Sequence, residues 1–225
     1  MVDYRKLRFS NLNSPEFSHL WLLLFWAAFG ICFMSLERLL PRTDYHVMWC
    51  PLDDRIPFCE WFLIPYLFWF VFLVGMHVYL LLFDTAAFRR FMYYIMITYT
   101  VTALVYIFYP TCQNLRPTEF ARDNSLVRFM KAFYRFDTNT NVCPSLHVVG
   151  SMAVAFGAWD TKRFRTTGWK IAFMGTALLI SVATVFVKQH SVLDVIWALV
   201  LCAAAYVTVY AAPRLRQKQH RRKCA

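Results

Sequence analysis

Charged residues are scarce in this sequence, and their scarcity excludes more than any single motif does. Asp, Glu, Lys and Arg make up 16% of the 225 residues, where soluble domains average about 25%. Internal repeats, zinc-finger spacing and basic-aromatic RNA motifs are absent. The formal charge of +11 therefore does not signal nucleic acid, and no nucleic-acid partner is expected. The first apolar run also lacks a small-residue cleavage site, so it reads as a retained span rather than a signal peptide.

In place of charge the chain has apolar runs: 59% of its residues are hydrophobic and 19% aromatic. That composition and its clustering predict an all-α, polytopic membrane protein embedded in a bilayer. Six spans are expected, roughly 18–40, 61–83, 91–109, 144–160, 169–187 and 190–211, in a single domain covering 1–225. An even number of spans puts both termini on one side. The N-terminal tail, the Arg89–Arg90 turn, the Lys162–Lys170 loop and the tail Arg214–Lys223 hold 15 of the 24 basic residues, so those segments should be cytoplasmic. The tail RLRQKQHRRK, within 212–225, should contact anionic lipid there.

Five of the other nine basic residues, Arg116 to Arg135, fall in the outer loop 110–143. Anion binding outside the membrane would explain that exception; simple solvation of the loop is the alternative. The same orientation gives Cys50 with Cys59, and Cys112 with Cys143, an oxidising compartment, so two disulfides are expected as possible pairs. Cys32, Cys202 and Cys224 are expected to stay reduced.

Ionisable residues inside a bilayer are expensive and point to function. In KQHSVLD, residues 188–194, His190 and Asp194 stand four apart, a spacing that brings them together on a helix face. A carboxylate on one imidazole nitrogen fixes the tautomer and frees the other nitrogen as base or nucleophile. Such a pair also serves structure or binds metal. In NTNVCPSLH, residues 139–147, Pro144 suits the first position of a helix. The following amides and the Ser145 hydroxyl would then form an anion site, with His147 placed to protonate a leaving oxygen. A surface histidine at a helix start is the other reading.

These residues resemble the type 2 phosphatidic acid phosphatase superfamily, whose signatures are K-x6-RP, PSGH and SR-x5-H-x3-D. The chain carries RP at Arg116–Pro117, PSLH at Pro144–His147 and H-x3-D at His190–Asp194, in order and at matching spacing over about 90–211. The resemblance implies a six-helix membrane bundle with an extracytoplasmic active site, located in a bacterial plasma membrane. It implies a lipid phosphatase or phosphotransferase acting on a phospholipid or lipid phosphate. His190 would be the nucleophile forming phosphohistidine, Asp194 would orient it, and His147 would be the general acid and base. Arg116 and Ser145 would bind the phosphate, and no metal or other cofactor is implied.

The departures bear on substrate. The family's lysine falls at Tyr109, its Ser-Arg pair at Ala183–Thr184, and its glycine at Leu146. Leu146 is similar to inositol phosphorylceramide synthase and sphingomyelin synthase-like branches. Lys188 is expected to supply one missing charge, and Gln189 or Thr184 a hydrogen bond. Simple lipid-phosphate hydrolysis leads; a phospholipase-C-type enzyme or headgroup phosphotransferase using a diester is the alternative. Outside this class stand a transporter with an intramembrane His/Asp relay and a silent scaffold.

Overall fold

The structure, a computed structural model, describes residues 2–39 and 44–213. Residues 214–225, which hold the expected lipid-contacting basic tail and Cys224, lie outside the described residues. Among the described residues the chain forms eight α-helices and two strands of two residues each. In order these are α1 (Leu24–Met34), β1 (His46–Val47), α2 (Pro51–Arg55), α3 (Leu63–Phe83), α4 (Thr85–Phe108), β2 (Thr111–Cys112), α5 (Ser125–Phe136), α6 (Leu146–Asp160), α7 (Thr167–Phe186) and α8 (Val192–Tyr206).

Five stretches are long and apolar enough to cross a membrane: Ser18–Leu39, Glu60–Phe83, Thr85–Phe108, Thr167–Phe186 and Val192–Ala211. The chain is thus an all-α, multi-pass integral membrane protein. Val71 and Val74 on α3, Ile171 and Leu178 on α7, and Val200 on α8 are exposed. Apolar side chains on outer faces are unfavourable in water and natural against lipid tails.

The third span begins at Thr85, earlier than the expected 91, because Asp84 caps α4. Its carboxylate accepts the Ala87 N–H at 3.0 Å and the Thr161 hydroxyl at 2.9 Å. Arg89 and Arg90 therefore lie within α4 rather than in a turn. Arg90 pairs with Asp160 at 2.5 Å.

The expected span 144–160 forms α6, which has 15 residues and is about 22 Å long at ~1.5 Å per residue. That falls short of a hydrocarbon core of about 30 Å, and α6 is not among the five long spans. It is instead the axis of the bundle: every residue from Val148 to Ala158 is buried, and α3, α4, α7 and α8 pack around it. Small residues make this possible. A Cβ on Gly150 would stand 2.9 Å from both Trp69 Nε1 and the Tyr99 hydroxyl, and one on Gly157 would stand 2.9 Å from Phe91 Cδ2.

At the end where α6 begins, β1 pairs in parallel with β2, Val47 opposite Cys112. Cys50, Cys59, Cys112 and Cys143 all carry free thiols, so neither expected disulfide is formed in the structure. The ends of the loop are joined by hydrogen bonds instead. Asn141 N–H donates to Thr111 O at 2.5 Å and Gln113 N–H to Asn139 O at 2.9 Å. The Thr111 hydroxyl accepts from the amides of Val142 and Cys143 at 3.1 and 3.0 Å.

Candidate active site

His190 and Asp194 do meet, although not across a helix face. His190 precedes α8, and Ser191 is its N-cap, with the Ser191 hydroxyl accepting from Leu193 N–H at 3.1 Å. Asp194 reaches back three residues to accept the Ser191 N–H at 2.9 Å, completing a capping box. The same oxygen, Oδ2, lies 3.1 Å from His190 Nδ1. One carboxylate therefore caps the helix and orients the imidazole, leaving Nε2 of His190 as the nitrogen available for chemistry. The backbone before it is fixed too: the amides of Gln189 and His190 share Thr184 O at 3.0 and 3.2 Å. The Thr184 hydroxyl turns back to Ser181 O, 2.7 Å away.

Pro144 is not the first helical residue. α6 starts at Leu146, with Ser145 in extended conformation as its N-cap. The Ser145 N–H donates to Asp194 O at 3.3 Å, which links the PSLH and H-x3-D segments directly and removes one expected anion-binding amide. The Ser145 hydroxyl is buried and has no partner. Tyr106 secures the preceding turn by donating to Pro144 O at 2.8 Å.

His147, in the first turn of α6, is held by rings. Tyr66 stacks on it at 4.3 Å and Trp69 packs at 4.4 Å, both from α3. Its Nε2 is buried without a hydrogen-bond partner. The His147 and His190 ring centroids are 5.9 Å apart, edge to face. Both rings line one cavity of about 300 Å³. Its polar wall includes Gln189, Asp137, Thr138, Thr140 and Asn141, and its apolar wall Trp26, Phe29, Phe33, Trp69 and Phe70.

The expected phosphate-binding cations sit elsewhere. Arg116 donates through Nη1 to Tyr134 O at 3.0 Å, and through Nη2 to Thr138 O and Gln189 Oε1, each at 2.6 Å. Its guanidinium also lies over the Tyr134 ring, 4.7 Å from the centroid. Burial lowers the pKa of Arg116, with Asp137 opposing that shift most strongly. Lys188, in the left-handed region at φ 53°, directs its ammonium to Asp53 O at 2.7 Å. Burial lowers its pKa as well, opposed by Asp53 and Asp54. Neither cation lines the cavity. Tyr109, where the family has lysine, stacks on His46 at 3.9 Å. Of the other basic residues in the loop 110–143, Arg122 pairs with Glu60 at 3.2 Å and Arg128 with Asp123 at 3.6 Å. Lys131 lies over Phe120 at 5.0 Å, and Arg135 is exposed.

Four acidic residues that sequence reasoning did not single out, or singled out for nothing, shape the site. Asp53 accepts from the Ser191 hydroxyl at 2.6 Å and the Val192 N–H at 2.8 Å, bracing the start of α8 from the first loop. Asp137 accepts from Gln189 Nε2 at 2.8 Å and from the Tyr66 hydroxyl at 3.5 Å. Burial raises its pKa, with Arg116 and His190 opposing. Glu37, at the end of the first span, accepts from the Thr138 and Thr140 hydroxyls and from Asn141 Nδ2. Beside it, Arg38 donates to Phe136 O at 2.6 Å. Glu60 accepts from Asn124 at 3.0 Å as well as from Arg122. Of these, only Glu37 had a sequence signal, a charge pair inside an apolar run; the rest depend on contacts between distant loops. Among the described residues, no three His, Cys, Asp or Glu side chains gather as a metal site.

Compared with known protein families, residues 90–218 match the PAP2 superfamily. The chain belongs to the PAP2 superfamily. That makes it an enzyme of the phosphatase and phosphotransferase type. The PAP2 match runs from within α4 to beyond the end of α8, so the RP, PSLH and H-x3-D residues all lie inside it. The match is to the superfamily as a whole and selects no branch within it. No curated protein and no solved structure matches the chain.

Proposed function

We propose that this protein cleaves a lipid phosphoester through a phosphohistidine intermediate, with His190 as nucleophile. The observation that carries the reading is one constellation. His190 is oriented by Asp194 at 3.1 Å and faces a second imidazole at 5.9 Å in a cavity with one polar and one aromatic wall.

In this mechanism the Nδ1–H of His190 is donated to Asp194, and Nε2 attacks phosphorus. His147, which takes up a proton as the substrate's anionic phosphate binds, gives that proton to the departing lipid oxygen. It then takes a proton from water or an acceptor alcohol as that oxygen displaces the histidine. Proton transfer of this kind contributes about 10²–10⁴-fold. The Gln189 amide, on the cavity wall, is the group to hold a phosphoryl oxygen, and the unpartnered Ser145 hydroxyl at the N-cap of α6 lies buried next to the wall residue Leu146. Arg116 acts from behind Gln189, its positive charge fixed 2.6 Å from the Gln189 oxygen. The aromatic wall of Trp26, Phe29 and Phe33 accommodates the apolar part of a lipid whose phosphate rests between the imidazoles.

The test is turnover of lipid phosphoesters by the purified protein and its His190→Ala variant, together with trapping of a phosphoenzyme. An acid-labile, base-stable phosphoryl adduct that disappears in His190→Ala supports the proposal. Undiminished turnover in the variant refutes it.

A further inference from the structure

The electrostatics of the cavity conflict with the commonest substrate such a site would take. A lipid phosphate monoester brings up to two negative charges, and phosphoryl-transfer sites ordinarily meet them with cations. No Lys or Arg lines this cavity, and Asp137 does. Asp194 lies behind His190, and Glu37 holds the three wall residues Thr138, Thr140 and Asn141. Against these three carboxylates stand Arg116 and, beside Glu37, Arg38, which donates to Phe136 O; Lys188 is held away from the cavity at Asp53 O. Before substrate enters, with both imidazoles neutral, the surroundings carry one excess negative charge. Three N–H contacts hold Arg116 to Tyr134, Thr138 and Gln189, so its guanidinium stands behind the cavity wall rather than on it.

A substrate that carries its own positive charge removes the conflict. A phosphodiester contributes one negative charge rather than two, and an ammonium on its headgroup brings the molecule to neutrality. Asp137 lies among rings that line the same cavity: Tyr66, Phe133 and Phe136, with Tyr66 and Phe133 edge to face at 5.7 Å. Tyr66 meets Asp137 through its hydroxyl, at 3.5 Å, so a cation entering this cavity would find the Asp137 carboxylate on its wall and aromatic rings nearby to add to the attraction. Asp137 reaches the catalytic side through Gln189, at 2.8 Å, so a headgroup held there stays one residue from His190.

We infer that the substrate is a zwitterionic phosphodiester, a phospholipid with an ammonium headgroup, and that Asp137 is the residue that selects it. This rests on the phosphohistidine reading above. In the first step the His190 Nε2–phosphorus bond forms as the bond from phosphorus to the glyceride oxygen breaks. The proton from His147 completes the diglyceride alcohol, and the phosphoryl headgroup stays on His190. In the second, an acceptor hydroxyl yields its proton to His147, its oxygen bonds phosphorus, and the His190–phosphorus bond breaks.

The experiment uses the full chain purified in detergent with three lipids of identical acyl chains: phosphatidylethanolamine, phosphatidylglycerol and phosphatidic acid. Diglyceride and released or transferred phosphoryl headgroup are measured. Phosphatidylethanolamine is expected to exceed both anionic lipids in kcat/KM by about tenfold, the equivalent of one favourable charge contact. Asp137→Asn should reduce that ratio by about the same factor, chiefly through KM. His190-dependent turnover led by phosphatidic acid, or a ratio unchanged in Asp137→Asn, overturns this inference and leaves the catalytic reading standing. Turnover that survives His190→Ala, or no turnover of any of the three lipids, overturns both. Because the wild-type ratio is read independently, a poorly folded variant does not shield the claim.

Discussion

His147 shows how a titratable side chain can be positioned without a hydrogen bond. Its plane is set by Tyr66 and Trp69, so its role can be separated from its packing by choice of leaving group. His147→Ala should lower turnover of an alkyl ester by about 10²–10⁴-fold. In the first step alone, read as the burst of released alcohol, a nitrophenyl ester, which departs without a proton, should lose far less; equal first-step losses on both esters would remove the acid role. Asp194→Asn should reduce kcat by a similar ~10²–10⁴-fold while costing about 1 kcal/mol of cap stability, read by kinetics and thermal unfolding together. Asp137 provides a pH signature. Burial raises its pKa and Arg116 only partly opposes this, so the carboxylate is charged above that raised value and is neutralised as pH falls through it. The groups around it are Arg116, Gln189, Tyr66, His190 and Glu37. The preference for zwitterionic over anionic diester should therefore decline on acidification above the usual carboxylate range. In Asp137→Asn the same ratio should not show that decline.

At the level of elements, α6 carries the most structural consequence for its length. Its glycines admit neighbouring rings where a Cβ would collide. Gly157→Ala, pressed against Phe91, should destabilise the bundle by about 1–3 kcal/mol, measured by unfolding in detergent. Gly150→Ala should act differently. The ring it displaces is Trp69, which packs on His147, so activity should fall before stability does. Much of this was legible in the sequence. Five apolar runs became long helices because nothing but hydrophobicity and length decides a span. The burial of α6 was not legible, since a run of small apolar residues suits the centre of a bundle as well as lipid. The two residues of H-x3-D meet for a reason other than a shared helix face: the four-residue spacing works through a capping box with Ser191 at its start. The bracing carboxylates Asp53 and Asp137 left no local trace, because their partners lie 138 and 52 residues away along the chain. The charges of the basic outer loop find their places through contacts the sequence does not display. They mostly pair with neighbouring acids or face outward from α5, whose Val127 and Met130 turn inward.

For the whole molecule, the two ends of α6 separate two chemical surroundings by about 20 Å. One holds the paired imidazoles; the other holds Arg90 and Asp160 beside Lys162 and Arg165. The charge distribution predicts that the second end faces the cytoplasm. Cysteines placed at the exposed positions Asp123 and Arg163 of a variant whose native cysteines are replaced by serine test it: an impermeant maleimide added to intact cells should label Asp123→Cys and spare Arg163→Cys. The contacts of Glu37 and Arg38 with residues 136–141 carry a further consequence. The segment matching the superfamily begins at residue 90, so the wall of its cavity is laced to a helix that lies outside that segment. Severing the polypeptide between those parts should then be reversible by co-assembly. Residues 44–225 produced alone should be inactive, and supplying 1–41 as a separate peptide in the same membrane should restore turnover, unless Glu37→Ala is built into that peptide.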